Sequence, residues 1–303
     1  QRQMCIRDSQ QGGGAGVCFL WKRKNDTQNK FADYLNKGDL VIACFGHSSD
    51  TEGEASDRTF ALPEVDKKML ASLSGCKKPI IGVVNAGGNI EMQGWVPTLK
   101  GLIWAFYGGQ EAGTAVGEAL FGKINPSGKL PMTFEKKWED NPAYNSYYDP
   151  DGDKHVAYTE GIFIGYRGYD KLKREVQYPF GYGLSYTTFK LSDLTVSKPN
   201  ADGTVEVTCR LANTGKRDGA QVVQAYVGKT ESSPVERPEK ELRKFEKVFL
   251  QAGESTTVKM TLPKESFMYF DVNSTQFVTD PGTYNIMLGF SSRDIKIQKN
   301  IQY

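Results

Sequence analysis

Leu40-Val41-Ile42-Ala43-Cys44-Phe45-Gly46 is an unbroken apolar run that stops at a glycine. Such a run reads as a strand covered on both faces, the central strand of a parallel sheet. Pro63 follows where a helix tolerates proline, and Val65, Met69 and Leu73 then recur at four-residue spacing until Gly75 ends the segment. A second strand is expected in Pro79-Ile80-Ile81-Gly82-Val83-Val84-Asn85 and a third in Leu102-Ile103-Trp104-Ala105-Phe106. A helix follows from Gln110 to Phe121, with Gly122 past its end. Short buried strands alternating with helical spacing define an α/β unit. In open sheets of this kind ligands bind beyond the carboxyl ends of the strands, so the loop after Gly46 lies where chemistry is expected.

Downstream the pattern changes twice. Regular periodicity fades between Phe134 and Phe189 into a stretch rich in Tyr, Gly, Pro and Asp. Past Leu191 it becomes two-fold: Val205, Val207, Cys209 and Leu211 alternate with Glu206, Thr208 and Arg210, as in a half-buried strand. Turn signals at Asn213-Thr214-Gly215, Ala252-Gly253-Glu254 and Asp280-Pro281-Gly282 separate runs such as 222–227 and 283–288, the spacing of an antiparallel, immunoglobulin-like β-sandwich. The expected division is a leader over 1–16, a parallel α/β sandwich domain over 17–134, a Tyr/Gly/Pro-rich connection over 135–190 packed on the α/β domain, and an all-β sandwich over 191–303. Within the leader, Gln1 to Ser9 (QRQMCIRDS) has the look of a translated sequencing adapter and is set aside as non-native.

Composition narrows the function. At 303 residues the chain has room for two ordinary cores. The formal charge is only +2, and basic residues interleave with acidic ones, as in Lys240-Glu241-Leu242-Arg243-Lys244, so a nucleic-acid partner is not expected. Apolar runs are broken by glycine or charge well short of the roughly 20 residues a membrane helix needs, so no membrane partner is expected. The five cysteines have neither zinc-site spacing nor disulfide-framework density and read as small buried hydrophobes. With only two histidines, His47 and His155, far apart, neither a metal site nor a cofactor is expected.

The loop His47-Ser48-Ser49-Asp50-Thr51-Glu52-Gly53-Glu54-Ala55-Ser56-Asp57-Arg58 concentrates carboxylates and one arginine beyond a strand end. Glycosidic bond cleavage uses two carboxyl groups, one to donate the proton and one as nucleophile or base, and this loop can supply one of them. A solvated acidic loop, with Asp57-Arg58 a plain structural pair, fits the spacing equally. Tyr107-Gly108-Gly109-Gln110 is a strand-to-helix turn without the lysine of a phosphate loop. Tyr166, Tyr169, Tyr178, Phe180, Tyr182, Tyr186 and Phe189 could stack on sugars but are read as packing residues, and Trp95 and Trp104 as core.

The order of motifs goes further. Glu52-Gly53-Glu54-Ala55-Ser56-Asp57-Arg58 with Leu62-Pro63 is followed by Val84-Asn85-Ala86-Gly87 and Tyr107-Gly108-Gly109-Gln110-Glu111-Ala112-Gly113. Then come Leu120 to Pro131 (LFGKINPSGKLP), Glu160 to Asp170 (EGIFIGYRGYD) and Pro179 to Phe189 (PFGYGLSYTTF). In these motifs the chain resembles the carboxy-terminal half of a bacterial family-3 glycoside hydrolase, of the β-glucosidase and β-xylosidase type. Asn213-Thr214-Gly215, Arg237-Pro238 and Gly253-Glu254-Ser255 match the fibronectin-III-like domain that closes many members.

The resemblance implies a fragment of a retaining, exo-acting β-glycosidase, β-glucosidase foremost, acting on β-linked oligosaccharides or aryl glycosides. It implies that a preceding (β/α)8 barrel supplies the catalytic aspartate and most sugar contacts. Nothing in this chain resembles that barrel, so the isolated chain is expected to be inactive. The acid/base glutamate is expected at Glu54, which has two residues between it and the Asp57-Arg58 pair as in bacterial members, with Glu52 the runner-up. His47 and Arg58 are the candidates for touching substrate, with a capping or turn role equally open for His47 and a loop-bracing role for Arg58. The resemblance also implies a periplasmic or secreted protein. The competing reading is a non-catalytic carbohydrate-binding or scaffold module, since fold does not determine function.

Overall fold

The computed structural model describes residues 17–20, 38–49, 51–54, 57–149 and 152–303. The leader expected over 1–16 lies outside the described residues. The chain divides into two compact units, the boundary falling between Phe121 and Gly122.

The first unit is built on a four-stranded parallel sheet in sequential order: β1 (Val17–Leu20), β2 (Leu40–Gly46), β3 (Ile80–Asn85) and β4 (Gly101–Trp104). The expected central strand is β2, flanked on both sides and with Val41, Ile42, Ala43 and Phe45 all buried. Gly46 lies opposite Asn85, and Val84 opposite Trp104, so the three strands release their loops at one edge. Helix α1 (Glu64–Ser72) follows β2, with Pro63 at its N-cap rather than inside it. Met69 and Leu73 point into the core, but Val65 is half exposed, so the buried stripe starts one turn later than the spacing predicts. Trp95 sits edge-on against Phe45, 4.9 Å between ring centroids, as a core residue, while Trp104 is only half-buried. After β4 comes α2 (Ala112–Leu120), ended by Gly122 at φ 70°, a conformation natural to glycine.

The second unit contains the sandwich. One sheet runs β10 (Glu241–Leu250), β9 (Gly219–Lys229), β14 (Thr283–Ser291) and β15 (Asp294–Gln302), and the other runs β11 (Ser255–Leu262), β8 (Val205–Asn213) and β7 (Phe189–Val196). A separate hairpin joins β12 (Met268–Asp271) to β13 (Gln276–Thr279). Val205, Val207, Cys209 and Leu211 face inward as their alternation predicts, against Val223, Ala225 and Val227 of β9 and Tyr284, Ile286 and Leu288 of β14. Cys209 behaves as a buried hydrophobe, whereas Cys44 and Cys76 are half-buried; all three are free thiols.

The boundary differs from that expected after 134, because the Tyr-rich stretch shares its compact unit with the sandwich. The reason lies in β9, whose second face also needs cover. Tyr226 and Gln224 alternate with the core residues and point away from the sandwich interior, yet both are buried. Tyr166 meets the Tyr226 ring edge-on at 6.0 Å and stacks on Phe180 at 4.9 Å. Gln224 Nε2 donates to the carbonyls of Gly181 (3.1 Å) and Phe290 (2.9 Å). In the same stretch β5 (Phe134–Glu135) pairs with β6 (Val176–Tyr178), and α3 (Gly165–Lys171) presents Asp170 to two cations. Lys240 Nζ lies 2.7 Å from one Asp170 oxygen and Arg293 Nε 3.3 Å from the other. The expected aromatic packing is thus seen inside this unit. Among the described residues no helix is long and apolar enough to cross a membrane.

A buried ion pair and an exposed one on the same helix make a test. Lys240 and Asp170 are 6% and 7% exposed, whereas Glu236, the partner of Lys171, is 64% exposed. Truncating one member of a buried pair strands the other charge, so Asp170→Ala should cost about 3–5 kcal/mol in chemical denaturation. Glu236→Ala should cost at most about 1 kcal/mol. Equal losses would show that the Asp170 contact does not hold α3 to the sandwich.

Candidate functional site

The site grows from the edge where β2, β3 and β4 end. At Gly46 the backbone has φ 135°, and a Cβ there would stand 2.0 Å from the Asn85 carbonyl oxygen, so only glycine lets β2 leave the sheet at this point. The next amide, His47 N, still donates to Asn85 O at 2.7 Å, and Gly46 N donates to Asp66 Oδ2 on α1 at 3.1 Å. Burial raises the Asp66 carboxyl pKa, against the pull of that amide.

Beyond Gly46 the chain folds into a tight turn. Thr51 and Glu52 amides both donate to Ser48 O, and the Thr51 hydroxyl accepts from Ser48 N at 3.0 Å. His47 Nδ1 lies 3.2 Å from Thr51 Oγ1, and its ring is buried, 6% exposed. Burial first, and then the nearby Arg58 charge, lower the imidazole pKa and favour the neutral ring, against the opposing pull of Glu52. Of the two candidates for touching substrate, His47 is therefore built into the turn.

Glu52 is the hub of the edge. Arg58 Nε donates to its Oε1 at 3.0 Å, the Gly87 amide to its Oε2 at 3.2 Å, and the Tyr107 hydroxyl to the same Oε2. Arg58 reaches on to Asn89 O at 2.6 Å and Thr59 O at 3.2 Å. The Glu52 carboxylate thus gathers donors from its own loop, from the loop after β3 and from the loop after β4. Burial alone would raise its pKa, but the hydrogen bonds from Tyr107, Gly87 and Arg58 and the guanidinium charge outweigh it and hold the carboxyl below its ordinary range. The Tyr107 phenol is pushed up to about 12, by burial and by its bond to the Glu52 carboxylate. Yet the Tyr107 residue as a whole is 54% exposed, with its hydroxyl anchored and much of its ring in solvent.

Glu54 behaves oppositely. It is exposed, two residues further along the loop, and makes no hydrogen bond or ion pair with any other described residue. Asp57 is exposed and Arg58 half-buried. Sequence reasoning placed Glu52, Glu54, Asp57 and Arg58 in one loop, but did not foresee Gly87 and Tyr107 as partners of Glu52. Their signals were that each follows a strand of the same parallel sheet and stands in a family motif, Val84-Asn85-Ala86-Gly87 and Tyr107-Gly108-Gly109-Gln110. Among the described residues, no group of three or more His, Cys, Asp or Glu side chains is placed to hold a metal ion.

Two outcomes follow from this arrangement. The depressed Glu52 pKa means the unfolded chain binds more protons in acid, so the stability it contributes is present above the ordinary carboxyl range near ~4.3 and is lost as pH falls through the lower folded value. Denaturation midpoints of the first unit measured from about pH 6 down to about pH 3 should fall more steeply in the native chain than in Glu52→Gln. Matching slopes would remove Glu52 from the hub. Gly87→Ala should also destabilise this unit, because its Cβ would meet Glu52 Oε1 at 2.8 Å and the Tyr107 ring at 3.3 Å. A melting temperature equal to that of the native chain would contradict the contact.

Comparison with known proteins places this geometry in context. Residues 6–166 match the glycosyl hydrolase family 3 C-terminal domain, a match that begins inside the stretch set aside as a leader, and residues 221–292 match a fibronectin type III-like domain. The chain is 38% identical over 277 residues to a thermostable β-glucosidase B of Acetivibrio thermocellus, covering 90% of this chain and 36% of that protein. It is 35% identical over 271 residues to an exo-α-(1→6)-L-arabinopyranosidase of Bifidobacterium longum, covering 88% of this chain and 35% of that protein. Among solved structures, a β-glucosidase of Bifidobacterium adolescentis superposes with a TM-score of 0.86 at 33% identity, over 94% of this chain and 42% of that one. The chain spans about a third of the length of the curated relatives it matches.

Proposed function

Because the chain belongs to glycosyl hydrolase family 3, its first half matching the C-terminal domain of that family, we propose that it carries the acid/base half of a retaining, exo-acting β-glycosidase, β-glucosidase foremost, with Glu54 as the acid/base. The observation that carries this reading is the contrast within one loop. Glu52 is engaged by three donors, whereas Glu54 is exposed and without a partner among the described residues. A group that must give a proton to the departing glycosidic oxygen, and then take one from water, has to change charge without dismantling its surroundings. Glu54 meets that requirement and Glu52 does not, since protonating Glu52 would cost it the Arg58 ion pair.

In this reading the second carboxylate comes from a (β/α)8 barrel of the same parent protein, placed about 5–5.5 Å from Glu54 as retaining chemistry requires. That carboxylate attacks the anomeric carbon while Glu54 protonates the leaving oxygen. Glu54, now a carboxylate, deprotonates the water that releases the sugar. The substrate is a β-linked oligosaccharide or aryl glycoside, and the protein works in the periplasm or outside the cell. The relatives support hydrolysis at chain ends, one of them being an exo-acting enzyme by name.

The test compares Glu54→Ala with Glu52→Ala in the full-length protein on substrates with good and poor leaving groups. Loss of the acid should hurt poor leaving groups most, by about 10²–10⁴-fold, and azide should restore turnover by attacking the glycosyl intermediate from the vacated side. If Glu52→Ala shows that pattern while Glu54→Ala keeps normal turnover, the assignment is wrong. The 303-residue chain alone should leave 4-nitrophenyl β-glucoside and β-xyloside intact, and turnover well above a Glu54→Gln control would mean these residues hold both carboxylates.

A further inference from the structure

The Glu52–Arg58 pair closes a short loop, and the proposed acid stands inside it. Both ends of that loop are pinned. At one end, Glu52 N is held by Ser48 O and the side chain by Gly87 and Tyr107. At the other, Arg58 Nη2 donates to Asn89 O at 2.6 Å. The tie between the ends is the 3.0 Å bond from Arg58 Nε to Glu52 Oε1, with both side chains about four-fifths buried, at 17% and 21% exposure. The adjoining backbone is cleared to seat the pair, since a Cβ on Gly87 would meet Glu52 Oε1 at 2.8 Å and one on Gly88 would meet Arg58 Nη2 at 3.0 Å.

A guanidinium fork is suited to this task. It stays charged, and its nitrogens can serve a carboxylate and a carbonyl at once, which a lysine cannot do in the same geometry. Ring closure also removes conformational freedom from the residues between its ends, so a side chain on the closed segment loses reach but gains position. Catalytic groups need that position, because a displacement of about 1 Å can cost 10²-fold in rate.

We propose that Glu52, Arg58 and Tyr107 form a positioning clasp that closes the loop bearing Glu54 and sets where the acid stands, without themselves transferring a proton. The proposal rests on the assignment of Glu54 as the acid/base. It gives Glu52 a different role from that of a second acid. It also gives a reason for the loop after β4 to send the Tyr107 hydroxyl to this carboxylate.

Two measurements on Glu52→Gln, Arg58→Met, Arg58→Lys and Tyr107→Phe decide the matter. In the chain itself, amide exchange at Gly53 and Glu54 should accelerate by about tenfold or more in Glu52→Gln and Arg58→Met while core amides of β2 and β3 stay protected. Arg58→Lys should fall between Arg58→Met and the native chain. In the full-length protein, the same variants should lose about ten- to a hundredfold in kcat on poor leaving groups, with KM near the native value and no rescue by azide. Unchanged exchange at Gly53 and Glu54, or kcat within about twofold of native in both Glu52→Gln and Arg58→Met, would overturn the clasp. Azide rescue of Glu52→Gln would overturn it as well, by making Glu52 a proton donor. Normal turnover in Glu54→Gln would instead refute the acid assignment, and the exchange data would still judge the clasp on its own.

Discussion

Parallel strands all finish at the same edge, and the site depends on that constraint. The loops after β2, β3 and β4 emerge side by side because Gly46 pairs with Asn85 and Val84 with Trp104. A carboxylate on the first loop can then collect an amide from the second and a phenol from the third. No antiparallel arrangement of the same strands would bring these three loops together, since alternate strands would end at opposite edges. The strict demand for glycine at position 46 follows from the same geometry, as the chain must turn away beside the Asn85 carbonyl.

Two carboxylates separated by one residue have sharply different surroundings. Hydrogen bonds and a neighbouring cation hold Glu52 ionised despite its burial. Glu54, on the solvent side of the same turn, has none of these contacts. Division of labour between neighbouring carboxyls by environment is a general device in glycoside hydrolysis, where one group must cycle its proton and others must not. In the proposed reading the reaction class is taken from family membership, and the contrast in surroundings favours Glu54 over Glu52 as the acid.

The second unit shows how a strand buried on both faces recruits its own cover. β9 contributes one face to the sandwich core and the other to Tyr166, Phe180 and Gly181 of the preceding stretch. The run Val222 to Val227 announces this in the sequence, because it lacks the alternation of a strand with one wet face. The matching aromatics of the connection were legible as packing residues. Which surface they pack on was not, because an aromatic ring carries no address and both units offer apolar faces.

The sequence by itself determined the two-part architecture, since hydrophobic period is a local property: continuous runs and helical spacing before 134, two-fold alternation after 191. It also determined the order of family motifs and the acidic loop beyond β2, with Glu52, Glu54, Asp57 and Arg58 in one stretch. Only the tertiary structure decided that Arg58 bonds Glu52, that Gly87 and Tyr107 complete its hydrogen bonds, and that His47 is buried against Thr51. It alone moved the unit boundary to Phe121/Gly122. Gly87 and Tyr107 lie 35 and 55 residues from Glu52, and no local pattern encodes a contact at such separations. They meet because strand pairing across the sheet sets their loops side by side.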